Sequence, residues 1–227
     1  MESREESAVN QFYESVPKQL LRDLFVSVLT NYQQADKFTK ENYPWQEGLP
    51  IRGYKRRADI EVDIRAVAAK YFNDGAKAEA EPNCTGGWYH TVLRVGEVAM
   101  VASKVRNRKS MVNKSLFMHK LAADNAQIEF SFVRTKKKVV RIDRPAPKLT
   151  AVLVHGYKKG DKSRPDFVLI RFPDEECKNW IGTIDLFAVF REVLVNFYAK
   201  PMVAADRIKA VRLRKNVIKK ESEGEGA

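Results

Sequence analysis

The chain has 227 residues, 44% of them hydrophobic, which is enough material for a core in one large domain. No apolar run approaches the roughly 20 residues of a membrane-spanning helix, and the opening "MESREES" is too acidic and polar for a secretory leader. The formal net charge is +12, and residues 102–164 supply it, with 17 Lys and Arg against 4 Asp and Glu, whereas residues 1–101 hold 13 against 15. Charge concentrated in this way raises the expectation of a polyanionic partner, nucleic acid above all.

In chain order, residues 5 to 38 have the spacing of helices. Pro17 interrupts the run and suits the first turn of a second helix, with Ser15 as its N-cap. Leu20, Leu21, Leu24, Phe25, Val28 and Leu29 then recur at helical spacing, with Arg22 and Asp23 opposite them. "KENYPWQEGLPIRGYK" follows, and its two prolines and two glycines read as a structured connection.

"RRADIEVDIRAVAAKYFNDG" fits two patterns. As a helix it aligns Ile60, Ile64, Val67 and Tyr71 on one face, places Glu61 four residues before Arg65, and stops at Asn73 and Gly75. As a strand it would line up Asp59, Glu61 and Asp63. The unbroken continuation through "AVAAKYF" selects the helix. "NDGAKAEAEPNCTGG" reads as a polar loop, followed by a hairpin of "WYHTVLRV" and "VAMVASKV" turning at Gly96-Glu97.

A short helix around Leu116, Phe117 and Leu121, closed by Asn125, precedes four strands at about 127–134, 138–144, 149–157 and 165–172. The last two are apolar on both faces and belong in the middle of a sheet or under a helix. A helix capped by Thr183 is expected from there to Lys200, with Phe187, Phe190, Leu194 and Phe197 as its stripe and Pro201 as its end.

The fold class is therefore α+β: an antiparallel sheet of about six strands, with N-terminal helices, one helix between strands and a C-terminal amphipathic helix. The expected organisation is one globular domain over 1–220, with a helical extension and linker at 1–56, an α+β core at 57–200 and a basic segment at 201–220. A disordered tail is expected at 221–227. Cys84 and Cys177 are far apart and form no CxxC pair, which suits free thiols in a cytoplasmic location.

Run as an up-and-down meander, the last four strands would bring alternate turns to one rim. Lys136, Lys137, Lys138, Lys158, Lys159, Lys162 and Arg164 would gather there, with Gly160 permitting close backbone approach to a phosphate. Arg106, Arg108 and Lys109, with Lys114, lie before the short helix and extend the track. A third basic cluster spans Arg207 to Lys220. Aromatic residues interleave poorly with all three, which favours backbone contact over base reading.

Catalytic signatures are lacking: there is no phosphate-binding glycine loop, no GxSxG and no HExxH. His90 and His155 lie on strands beside tyrosines, where packed and hydrogen-bonded roles are the rule. The residues imply no cofactor and no structural metal. The function expected is binding of DNA or RNA by phosphate neutralisation, in regulation or defence, without membrane association. One alternative is a metal-dependent nuclease using Asp59, Glu61 and Asp63, with Glu97 and Lys104 as further candidates. Another is a protein-interaction module whose acidic N-terminal helix meets the basic sheet of a second copy, giving a homo-oligomer.

Overall fold

The computed structural model describes residues 3–45, 48–82, 89–126, 132–134, 139–141, 149–158 and 160–199. The chain divides into two compact units, Met1–Val189 and Phe190–Ala227.

The first unit opens with α1, Arg4–Ser15. A capping box starts it: the Ser3 hydroxyl accepts from the Glu6 N–H at 3.2 Å, and the Glu6 carboxylate accepts from the Ser3 N–H at 2.8 Å. Those bonds hold the Glu6 carboxyl below its usual range. Helix α2 is Lys18–Asn42. Pro17 stands at its N-cap rather than inside the first turn, since the Pro17 carbonyl accepts from the Leu21 N–H at 3.1 Å. Ser15, expected as the cap, is instead the last residue of α1. The apolar series from Leu20 to Leu29 is buried, as its spacing requires.

Helix α3, Gly48–Lys70, resolves the ambiguous segment as helix and begins well before it. The expected connection at 40–55 thus shrinks to a few residues, because Pro50 in the first helical turn has no N–H that the helix needs. Contacts between α2 and α3 run in opposite order: Asp36 meets Arg52 at 3.3 Å, Asn31 meets Asp63 at 3.0 Å and Asp23 meets Lys70 at 3.3 Å. The two helices are therefore antiparallel. A 3-10 turn at Phe72–Asp74 and Gly75, at φ +80°, end α3 where the sequence placed its stop.

Eight strands follow: β1 Lys77–Pro82, β2 Tyr89–Val95, β3 Val98–Lys104, β4 Phe132–Arg134, β5 Val139–Arg141, β6 Leu149–Lys158, β7 Asp161–Pro173 and β8 Trp180–Asp185. Helix α4, Leu116–Ala122, lies between β3 and β4. The main sheet has the order β1-β2-β3-β6-β7-β8 and is antiparallel except for the β3–β6 pair. The α+β class and a six-stranded sheet hold, but the membership differs from that expected. Strands β4 and β5 pair only with each other, in a separate two-stranded ribbon. Their places are taken by β1 and β8.

Strand β1 lies in the stretch expected as a polar loop. It forms by pairing with β2 from Lys77↔Arg94 to Pro82↔Tyr89, at a sheet edge where Pro and charge are tolerated. Strand β8 occupies the residues expected to begin the last helix, so Thr183 pairs with Arg171 instead of capping. The helical part is α5, Leu186–Val189, whose first turn is held by Asp185 accepting from the Phe187 N–H at 2.9 Å.

Strands β6 and β7 are central, as their apolar faces predicted. On one face Val152, Val154, Phe167 and Leu169 pack with Phe117 and Leu121 around α4. On the other, Phe12 of α1 meets Phe172 with ring centroids 5.6 Å apart, and Tyr32 of α2 meets His155 at 5.7 Å. Asn125, expected to close α4, instead fastens it to the sheet. Its side chain accepts from the Thr150 N–H at 2.6 Å and donates to the carbonyls of Thr150 and Pro173 at 2.9 and 2.7 Å.

In the second unit, α6 is Arg191–Ala199. Residues 201–220 and the tail at 221–227, with the Arg207–Lys220 cluster, lie outside the described residues. Among the described residues no helix is long and apolar enough to cross a membrane.

Candidate functional site

The meander expected over 127–172 does not form, because β6 pairs with β3 and β7 and not with β5. Lys136, Lys137, Lys138 and Lys159 lie outside the described residues. Lys158 ends β6 and pairs with Asp161, leaving a tight turn in which Gly160 has φ +97°. Added Cβ atoms at Gly160 would meet nothing within 4 Å, so backbone conformation, not space, requires glycine there. Lys162 and Arg164 belong to β7 rather than to the turn. Arg164 lies 3.9 Å from Asp161.

Parallel pairing creates a different juxtaposition. Because β3 and β6 run the same way, with Lys104 opposite His155, the chain leaves β3 at the end of the sheet where β6 turns into β7. Arg106, Arg108 and Lys109 therefore share that end with the Lys158–Asp161 turn. The Asn107 side chain shapes their bend by accepting from the N–H groups of Lys109 and Ser110 at 2.9 and 3.0 Å. Arg106 and Lys109 are exposed, whereas Arg108 forms an ion pair with Asp185.

Asp59, Glu61 and Asp63 do not converge. On α3, Asp59 pairs with Lys55 at 2.9 Å, Asp63 accepts from the Asn31 side chain at 3.0 Å, and Glu61 accepts from the Thr91 N–H at 2.6 Å. Glu97 stays in the β2–β3 turn, where its carbonyl accepts from the Leu149 N–H at 2.8 Å. Among the described residues no three His, Cys, Asp or Glu side chains stand where they could hold a metal ion.

A cleft that the sequence did not signal lies beside β3. The β2–β3 ladder contains only Val95↔Val98, Arg94↔Ala99 and Leu93↔Met100. Beyond Met100 the strands part, so among the described residues β3 from Val101 to Lys104 has a strand partner on its β6 side alone. The opening, about 600 Å³, is bounded by α3, this strand edge, His90 and the segment from Val112 to Met118. Among the described residues its charged lining is Arg56, Arg57, Lys104 and one acid, Glu61.

Arg56 is 2% exposed. Its guanidinium lies 3.8 Å from the centre of the Tyr32 ring and donates to the Lys162 carbonyl at 2.9 Å, while its Nε has no hydrogen-bond partner. Burial lowers its pKa, opposed in part by Tyr32 and Tyr157, with Arg52 adding to the lowering. The Nζ atoms of Lys104 and Lys162 stand 4.7 and 5.7 Å from the Tyr157 ring, which Arg56 also faces at 5.7 Å. Both histidines near these cations are held neutral. His155, buried and sharing a 2.9 Å hydrogen bond with Tyr32, is lowered to about 3 by burial and then by the charges of Arg56 and Lys104. His90, stacked on Phe117 at 4.7 Å, is lowered by burial and Arg57, with Glu61 at 3.9 Å opposing.

Arg56 had a legible signal: it stands four residues before Ile60, on the stripe that continues through Ile64 and Val67. A cation in register with a buried face is an anomaly. No family model, curated protein or solved structure matches this chain.

Proposed function

We propose that this protein binds nucleic acid through the phosphate backbone, using the basic end of the sheet, in the cytoplasm. The observation that supports the reading is the parallel β3–β6 pairing, which brings Arg106 and Lys109 to the end that carries the Lys158–Asp161 turn and Lys162. Cations collected at one sheet end replace condensed counterions on a polyanion, and that release drives association. Lys136, Lys137, Lys138 and Lys159, expected from the sequence to contribute, lie outside the described residues. Arg108 contributes less than expected, because Asp185 already neutralises it.

Fluorescence anisotropy with labelled single- and double-stranded DNA and RNA tests the proposal. The comparison is with a protein carrying Arg106→Glu, Lys109→Glu and Lys158→Glu at the sheet end. Binding should weaken steeply with salt, and the charge reversals should flatten that dependence. Absence of binding to all four ligands, or indifference to the reversals, would overturn it.

A further inference from the structure

Arg56 presents an unusual energetic situation. A guanidinium that is 2% exposed has lost its hydration, and among the described residues it receives the Lys162 carbonyl and the faces of Tyr32 and Tyr157 but no carboxylate ion pair. Burying an unpaired charge is costly even after such partial compensation. Lys104 adds a second cation to the lining, and Glu61 accepts from the Thr91 N–H. An anion entering the cleft would supply the counter-charge.

The shape of the cleft narrows the choice. At about 600 Å³ it falls in the range of small-molecule sites, roughly 300–1,000 Å³. Its α3 wall presents apolar surface to solvent, with Tyr54 60% and Leu49 49% exposed, and Gly53 between them has open space above it. The free edge of β3 supplies peptide groups. Antiparallel ladders alternate, so continuing the Val98 and Met100 positions turns the N–H and C=O of Ala102 and Lys104 away from β6 and into the cleft. The Val105 N–H, of the opposite parity, is indeed taken by the His155 carbonyl at 3.0 Å. The site thus combines buried positive charge, a flat apolar wall and a row of paired donors and acceptors.

We propose that this cleft binds a nucleotide bearing a terminal phosphate, with the phosphoryl group against Arg56 and Lys104 and the base between the Tyr54 wall and the β3 edge. The ligand is either a free mononucleotide or the phosphorylated end of a strand. The inference goes beyond backbone binding at the sheet end, since it concerns one nucleotide and different residues.

Isothermal titration calorimetry on the full chain distinguishes these ideas. The ligands are adenosine and guanosine 5′-monophosphates, the two nucleosides, inorganic phosphate, and one oligonucleotide with and without a 5′-phosphate. Lys104 is exposed, so Lys104→Ala removes a charge without touching the core. Arg56→Lys keeps the charge but not the planar fork. Saturable binding of a monophosphate, no binding of its nucleoside, and about tenfold or greater weakening in Lys104→Ala are expected. Preference for the 5′-phosphorylated oligonucleotide over the mononucleotide would identify the source as a strand end, and the reverse preference a free nucleotide. Equal binding of nucleoside and nucleotide, no saturable binding of any phosphorylated ligand, or affinity unchanged in Lys104→Ala would overturn the proposal. Salt-sensitive binding of both oligonucleotides, abolished by the sheet-end reversals but indifferent to Lys104→Ala, would remove the cleft and leave the backbone reading standing.

Discussion

His155 illustrates how burial and neighbouring charge act on one residue. Its pKa lies at about 3 in the folded chain, against an ordinary 6.5. Between those values the unfolded chain takes up a proton that the folded chain refuses, so stability falls as pH drops. The loss is roughly 1.4 kcal/mol per pH unit from this residue within that window. Urea unfolding at pH 7 and pH 4.5 checks it: His155→Gln should be destabilised at pH 7, through loss of the Tyr32 partner, yet show a shallower decline than the parent. An identical decline would mean that His155 titrates normally. Asn125 is a second single-residue case. Its 0% exposure and three bonds to the backbone of Thr150 and Pro173 predict that Asn125→Ala loses about 3 kcal/mol, because buried peptide groups are left unpaired. The denaturant midpoint should fall with the slope unchanged.

At the scale of elements, α1, α2 and most of α3 were legible because their apolar stripes have period 3.6, and the Ile60–Val67 stripe overrode a strand-like alternation over only six residues. The edges of the sheet were not legible. Strand β1 is a strand only because β2 offers it a ladder, and β8 only because β7 does. Neither edge needs its own hydrophobic pattern when one side faces water. The sheet interior makes tighter demands. At Gly156 a Cβ would come within 2.4 Å of the Phe167 ring and 3.0 Å of the Val105 carbonyl. The β6–β7 register also shifts there. Gly156→Ala should therefore cost on the order of 1–3 kcal/mol by overpacking a rigid core. Thermal unfolding measures it, and a neutral result would show that Phe167 has room to move.

At the scale of the whole molecule, the charge imbalance of segment 102–164 is spread by the topology in two directions. Part of it lies at the end of the sheet shared by β3 and β6, and part borders the cleft through Lys104. The first part predicts a collective behaviour. On duplex DNA, the logarithm of the binding constant should fall with the logarithm of salt concentration by about 0.9 per phosphate neutralised. Each charge-reversing substitution at the sheet end should reduce that slope by about one. Lys37→Glu, a charge change of the same kind at a residue already paired with Glu41 on α2, should leave it unaltered. A slope that responds equally to both positions would indicate a field effect of net charge alone.

The amino-acid sequence by itself determined the class of fold, the first two helices and the greater part of the third, the β2–β3 hairpin and the central placement of β6 and β7. These follow from local periodicity and turn chemistry. Only the tertiary structure decided that β3 pairs with β6 across a crossover, that β4 and β5 stand apart, and that β2 leaves β3 after three pairs. Pairing between distant strands is set by how helices cover the sheet and by which edges remain to be satisfied, and nearest-neighbour reading does not contain that information. The cleft exists because two strands part, and Arg56 faces it because α3 crosses above. A cleft made where a pairing stops leaves little trace in the sequence beyond Arg52 and Arg56 in line with an apolar stripe.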